Sequence, residues 1–402
     1  MDNTKIEKRK IIILFIVGLL FSFAVSLLLS KQETTLIRSD HFSRWYATNK
    51  LVTEGRSIYD SRNGQEIVSL NTIPVDPIEG SFFYPAHLLI FILPIANLPY
   101  PVAHFIWLTL IQIFSLLAIW IIYREIHWPS SVNKLTVLVM LSIVFIPSFQ
   151  NTIWGQFNSI SVLSLALVYI SLRRNRYFIA GLCAIGLTFK PQTMLISLIF
   201  LLIWASVKRK RWPFNLGFGL IGLSLWLFAE RLEPNWIISF IKGVQTYSAY
   251  LHPQPVTNEL WLPSWLLIGL IILLDVWIFI RNVQSTPTSI PFVGCIILSL
   301  ATWWIIAPIY GMMYLVAIPI VIMLLFSSLD NFNVKLYKFG LLSFVLLYFM
   351  GVVGFLYGLS TPSLYGQHIK FTELVYKILL PILIIVLSLP LALPKKSSFF
   401  DR

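Results

Sequence analysis

Apolar runs of about twenty residues recur along this 402-residue chain, and nothing constrains its fold more. In hydrocarbon a backbone must satisfy its own hydrogen bonds, so such runs become helices rather than loops or open strands. Each is long enough to cross a hydrocarbon core of ~30 Å. The composition agrees: 57% of residues are hydrophobic and 12% charged, far from a soluble average. The chain therefore reads as an all-α polytopic membrane protein, a single integral domain over 1–402. About twelve spans are expected, at roughly 11–30, 101–123, 133–149, 157–172, 177–190, 191–207, 213–229, 260–281, 289–307, 312–328, 338–358 and 372–393. The first follows Lys5, Lys8, Arg9 and Lys10, but it is long and has no clear small-residue cleavage site. It reads as a retained helix rather than a leader. Cys183 and Cys295 both fall in apolar runs, which argues against a disulfide framework or a metal site.

Charge then sets the topology. The net charge of +13 fits basic inner loops facing anionic lipid and does not require nucleic acid. The segment 82–98 is apolar but interrupted or flanked by Pro85, Pro94, Pro99 and Pro101. If it crossed, Arg173-Arg174-Asn175-Arg176 and Lys208-Arg209-Lys210-Arg211 would face outside, against the positive-inside rule. A re-entrant or interfacial segment makes the assignment consistent. Both termini then lie in the cytoplasm, and two large outer loops remain, 31–100 and 230–259. Acidic residues gather outside: Glu33, Asp40, Glu54, Asp60, Glu66, Asp76 and Glu79 all lie in the first outer loop. Because acids count little in membrane insertion, this asymmetry points to function on the outer face.

Several segments bear chemistry, each with a plainer alternative. Asp40 opens a short helical pattern of Phe42, Trp45, Tyr46, Asn49 and Val52, and Gly55 is a natural stop. Spacing alone favours Asp40 as an N-cap, with the aromatic face lying on the membrane. The functional alternative is a carboxylate held at the bilayer boundary as a base. Trp154-Gly155-Gln156-Phe157-Asn158 joins two spans on the outer side. Gln156 and Asn158 offer amide groups to sugar hydroxyls, although a capped turn explains the motif nearly as well. Lys190, in Phe189-Lys190-Pro191-Gln192, sits where two apolar runs meet. A lysine there must snorkel, pair or bind an anion such as a lipid phosphate. Tyr310, in the Pro308–Gly311 turn, is a ligand contact or an interfacial aromatic. Segment 230–259, with Arg231, is an amphipathic cover or a loop. Asp275 lies inside a span near its inner end, where snorkelling or a helix contact is expected. The chain has no phosphate-cradling glycine loop followed by Lys-Ser/Thr, no His-Glu-x-x-His pattern and no Gly-x-Ser-x-Gly elbow.

Taken in order, these segments resemble glycosyltransferase family 87, polytopic enzymes with the C-type glycosyltransferase fold. The resemblance runs from about residue 11 to 330. It rests on Asp40, Trp45, Tyr46, Glu54-Gly55 and Tyr59-Asp60, then Phe83-Tyr84-Pro85, Gly155-Gln156-Phe157-Asn158, Ala180-Gly181, Lys190-Pro191-Gln192, Arg211-Trp212 and the Pro308 turn. The chain departs from the family at Ala86, where a second proline is common, and after Pro308, where Tyr310, Met313 and Tyr314 stand in place of Asp or His. The resemblance implies an inverting transfer of a mannose-like hexose from a polyprenyl-phosphate donor to a lipid or glycan acceptor at the outer face of the cell membrane. Asp40 would be the general base. Lys190, with Arg44 or Arg231, would hold the phosphate. Tyr46, Tyr84, Gln156, Asn158, Gln192 and Tyr310 would line the substrate site. No metal or other cofactor is needed for such a transfer, and the partners are the two substrates and membrane lipids. A transporter or lipid flippase, or an inactive scaffold of envelope assembly, is the alternative.

Overall fold

The computed structural model describes residues 13, 16–28, 41–60, 62–64, 66, 82–126, 145–251, 264–307, 312–360 and 370–393. All regular structure among them is helical. In chain order the helices are α1 (Ile16–Leu28), α2 (His41–Thr53), α3 (Leu89–Ala96), α4 (Tyr100–Ile126) and α5 (Ile146–Ile153). Then come α6 (Asn158–Arg173), α7 (Tyr177–Ala184), α8 (Pro191–Val207), α9 (Pro213–Leu232) and α10 (Trp236–Leu251). The last are α11 (Ser264–Asn282), α12 (Ile290–Ile306), α13 (Ile318–Phe332), α14 (Val334–Ser360) and α15 (Lys370–Ala392). Tight 3₁₀ turns occur at Ala86–Leu88, Ile185–Thr188, Arg209–Arg211 and Met312–Leu315.

Two apolar clusters organise the molecule. The larger is centred on α12 and α13; in α13 every residue from Ile318 to Phe326 is buried, so this helix is apolar on all sides. Helices α4, α8, α14 and α15 pack around that pair, and α6 joins the cluster through α4 and α7. The smaller cluster joins α2, the 82–98 segment, the first half of α4, the end of α9 and the start of α10. Outer helices show the reverse pattern: α14 exposes Phe339, Leu342, Leu346, Phe349, Val353 and Leu356 at helical spacing, the stripe expected to face lipid. With lipid as apolar as leucine, close packing rather than water exclusion holds such helices together. Between α7 and α9, a Cβ on Gly181 would lie 1.9 Å from the Phe214 carbonyl oxygen, and one on Gly217 2.3 Å from that of Phe178. Only glycine permits that approach. Asp275 is buried and accepts a 2.7 Å hydrogen bond from Thr302 Oγ1, so it joins α11 to α12 instead of snorkelling.

Several spans are shorter than the apolar runs. By length and composition, six helices among the described residues can cross a membrane: Tyr100–Ile126, Arg209–Leu232, Trp265–Asn282, Met312–Phe332, Val334–Tyr357 and Lys370–Ala392. The protein is thus a multi-pass membrane protein, and length alone does not carry the expected number of spans to twelve. The expected span at 177–190 is α7 and a 3₁₀ turn, together about 20 Å long. Of the expected span at 133–149, only its end is described. There Phe145 is extended and the separate helix α5 starts at Ile146, with Pro147 in its first turn, where its missing N–H costs nothing. The 82–98 segment is the turn at Ala86–Leu88 and α3, about 18 Å in all and shorter than a ~30 Å core.

Hydrogen bonds sort the loops into two ends. At one end Arg174 pairs with Glu125 at 3.2 Å, and Arg211 donates to the carbonyls of Val283 and Ser285 at 2.8 Å. Asn282 donates there to Ala392 O at 2.8 Å. These are the basic loops assigned to the inner face. At the other end the 54–60, 82–87, 154–158, 189–191, 233–236 and 312–314 segments meet.

Candidate active site

The site is built from turns. Helix α5 ends with Gly155 at φ +56; its N–H bonds Thr152 O, and Gln156 N–H bonds Asn151 O, both at 2.9 Å. This left-handed stop needs glycine and satisfies the last carbonyls of the helix. Trp107 Nε1, reaching across from α4, donates to Gly155 O at 2.7 Å and fixes the turn from outside. Asn158 then opens α6, and its side chain caps nothing. Its Nδ2 donates to Asn151 Oδ1 at 3.0 Å and to Met313 O at 2.9 Å, so it ties this turn to the one before α13.

Lys190 stands between the 3₁₀ turn and α8. Thr193 caps its carbonyl through both N–H and Oγ1, at 2.9 and 2.8 Å. Trp303 Nε1 from α12 donates to Pro191 O at 2.8 Å. The side chain is only 2% exposed, which removes snorkelling as its role. Its Nζ donates to Gln156 Oε1 and lies 4.7 Å from the Tyr314 ring centroid and 5.4 Å from that of Tyr84. No carboxylate among the described residues is within ion-pair distance of it. Two further polar atoms of this cluster, Gln156 Nε2 and Asn158 Oδ1, are buried without a hydrogen-bond partner among the described residues. A buried lysine set between two aromatic faces, with unmatched amide groups next to it, is suited to pair with an anion carrying hydroxyls, whose charge would offset the cost of a buried ammonium.

Depth follows from helix length. Helix α6 is 16 residues long, about 24 Å, and the segment from Tyr177 through Thr188 is about 20 Å. Both start or finish at Arg173–Arg176; with that loop at one membrane surface, as the positive-inside rule places it, their far ends, at Asn158 and Lys190, would stop short of the opposite surface of a ~30 Å core. Polar groups at that depth must be buried in protein or line a cavity.

Helix α2 supplies one wall. Trp45 is fully buried, 4.0 Å from the Phe157 ring and 5.4 Å from that of Tyr84. The aromatic face of α2 is therefore packed into protein, not laid on the membrane. Gly55, at φ +66, ends α2 as its position in the sequence suggested. Tyr46 packs on Tyr100 and donates to Leu98 O at 2.9 Å, so it anchors α2 to the 82–98 segment rather than reaching Lys190. Arg231 is exposed at the end of α9, with no polar contact to Lys190, Gln156 or Asn158 among the described residues. Asp40, Tyr310 and the side chains of Arg44 and Gln192 lie outside the described residues.

Three features had no signal in the sequence. Trp107 and Asn151 look like ordinary members of apolar helices. Glu233, counted only as an acid of the 230–259 segment, is a buried latch between that segment and the one before Asp60. It accepts from Ser57 Oγ at 2.7 Å and from Ile58 N–H at 2.9 Å. Next to it Tyr59 donates to Tyr84 O at 2.7 Å, and burial together with the Glu233 charge pushes its phenol well above the usual range. Glu233→Ala leaves the Ile58 N–H buried and unpaired. It is expected to cost about 1–3 kcal/mol, read as a lower Tm, with Glu233→Gln keeping part of the latch.

A multi-pass α-helical membrane protein with a buried lysine and amide groups gathered at one end of its bundle is the class these features define. A family model for glycosyltransferase family 87 matches residues 82–328, more than half of the chain. The chain belongs to that family, and is a membrane glycosyltransferase with a sugar donor and an acceptor as its substrates. The matched residues contain Tyr84, Gln156, Asn158, Lys190 and Gln192 and begin after Asp40 and Arg44. No curated protein and no solved structure matches the chain.

Proposed function

We propose that the protein transfers a hexose, mannose-like, from a polyprenyl-phosphate donor to a lipid or glycan acceptor, with inversion, at the outer face of the membrane. The observation that carries this reading is Lys190: a buried lysine with no acidic partner among the described residues, beside amide groups with unmade hydrogen bonds. A lipid phosphate supplies the missing charge. Its isoprenoid tail would lie between helices, and Gln156 and Asn158 would meet the hexose hydroxyls.

In the reaction the acceptor oxygen attacks the anomeric carbon as the bond from that carbon to the phosphate oxygen breaks. The phosphate leaves with the electron pair as an anion, so no strong general acid is needed, unlike a glycosidase with its alcohol leaving group. One base takes the acceptor proton. Asp40 is assigned that role through the family, and α2, which follows it directly, packs against Tyr84 and Phe157 in the wall of the site. Lys190 stabilises the charge growing on the departing phosphate. Direct displacement by a single base inverts the anomeric configuration.

The test is transfer by the purified protein from radiolabelled polyprenyl-phosphate mannose or glucose to membrane lipid extract. Labelled product supports the reading, and intact donor after prolonged incubation with well-folded protein removes it. Orientation has its own test. A cysteine at Asp60 is expected to react with a membrane-impermeant reagent in intact cells, and one at Lys208 only after permeabilisation. Labelling of position 208 from outside would reverse the topology.

A further inference from the structure

Beside the Lys190 cluster, two more buried nitrogens have no hydrogen-bond partner among the described residues: His87 Nε2 and Trp236 Nε1. Their rings are 5.7 Å apart and set edge to face. Trp236 is 8% exposed, at the start of α10, three residues beyond the Glu233 latch. Phe189 lies 5.5 Å from His87, and Phe91 lies 5.2 Å from Phe189. Phe240 follows Trp236 on the same side at 6.4 Å. If this pair were only packing, phenylalanine would serve at both positions without the cost of an unmade hydrogen bond.

The chemistry of the pair selects its ligand. An indole N–H only donates, whereas neutral imidazole Nε2 can accept. Burial holds the His87 pKa down to about 4, so the ring is neutral near pH 7. A hydroxyl group has the chemistry to meet either atom, accepting from the indole N–H or donating to imidazole Nε2. The rings of Phe189, Phe91 and Phe240 make the neighbourhood of the pair apolar, so that these two nitrogens are the polar groups that would orient a small polyol there. The turn at Ala86–Leu88 connects this pair to the Lys190 cluster: Tyr84, just before it, faces Lys190, and His87 within it faces Phe189 and Trp236.

We propose that His87 and Trp236 form a hydroxyl-binding subsite for the acceptor, distinct from the phosphate-binding place at Lys190, and that the acceptor carries a sugar-like polyol there. Calling that polyol the acceptor rests on the glycosyltransferase reading above; the existence of the subsite does not. A solvent water could meet the same two atoms, so the test must separate water from a sugar.

The full chain in lipid nanodiscs is titrated with methyl α-mannoside, methyl β-glucoside and, separately, polyprenyl phosphate, following Tm. At least one hexoside is expected to raise the Tm of the wild type. Trp236→Phe, which keeps the ring and loses only the N–H, should raise the half-saturating hexoside concentration about tenfold or more. His87→Phe should do the same and His87→Gln should restore part of the binding. Both Trp236→Phe and His87→Phe should respond to polyprenyl phosphate as the wild type does. Lys190→Met should show the opposite pattern, keeping hexoside and losing polyprenyl phosphate. No hexoside response in the wild type, or an equal response in Trp236→Phe, overturns the subsite and leaves the pair to water. Transfer assays on the same samples separate the two claims. Hexoside binding without any transfer sinks the enzymatic reading alone. Transfer with unchanged acceptor KM in Trp236→Phe sinks the subsite alone.

Discussion

Lys190→Met should lower hexosyl transfer by about 10²- to 10³-fold while leaving the folded protein as stable as the wild type, or more so. These two effects separate because the lysine is costly where it sits. It is 2% exposed, and its polar contacts are Gln156 Oε1 and the faces of Tyr84 and Tyr314, none of which carries a full negative charge. An apolar chain of similar volume removes the cost of burying that charge and keeps the packing. The same substitution removes the amine set among Gln156, Tyr84 and Tyr314, and with it the stabilisation of phosphate in the ground and transition states. Both KM for the donor and kcat should therefore suffer. The measurement pairs a steady-state transfer assay with Tm. A large fall in Tm together with lost activity would mark Lys190 as structural, and unchanged transfer would remove it from the site.

Asp40→Asn should lower kcat by about 10²- to 10⁴-fold, the range for removing a general base, with little change in donor affinity. The substitution keeps size and most capping capacity, since Asn caps helices about as well as Asp. Helix α2 should therefore still form from His41 and still seat Trp45 against Phe157. This matters because Asp40 lies one residue before α2 and is a natural cap in any reading. A capping role predicts a small stability loss in Asp40→Ala and none in Asp40→Asn, with transfer intact in the latter. A base predicts loss of transfer in both. Polyprenyl phosphate should still raise the Tm of Asp40→Asn, in contrast to Lys190→Met. Wild-type kcat in Asp40→Asn would end its assignment as the base.

Particular residues show how far sequence reasoning reached. Gly55 and Gly155 were legible because a left-handed helix stop is a one-residue requirement that glycine meets alone. The grouping of Arg174 and Arg211 at one end was legible because basic residues bias insertion loop by loop. Span length was not. Apolar composition continues through the 3₁₀ turn at Ile185–Thr188 and across Phe145, so hydropathy runs on where the helix does not. The direction of the α2 aromatic face was not legible either: Trp45 and Tyr46 suit a membrane interface and a protein interior equally well, and the presence of Trp107 and Phe157 decided for the interior.

By itself the sequence determined that this protein is helical, crosses the membrane several times and keeps its basic loops together. Hydrocarbon forces backbone groups to pair locally and positive charge biases each loop, and both effects act over about twenty residues. The tertiary structure alone decided that Lys190 meets Gln156 and Tyr314, that Asn158 reaches Met313 O and that Glu233 locks Ser57 and Ile58. Those partners are separated by many helical turns of sequence, and no local periodicity ties one to the other. Their meeting depends on which helix faces pack, which glycines let helices approach and how short a span is. All three are properties of the assembled bundle.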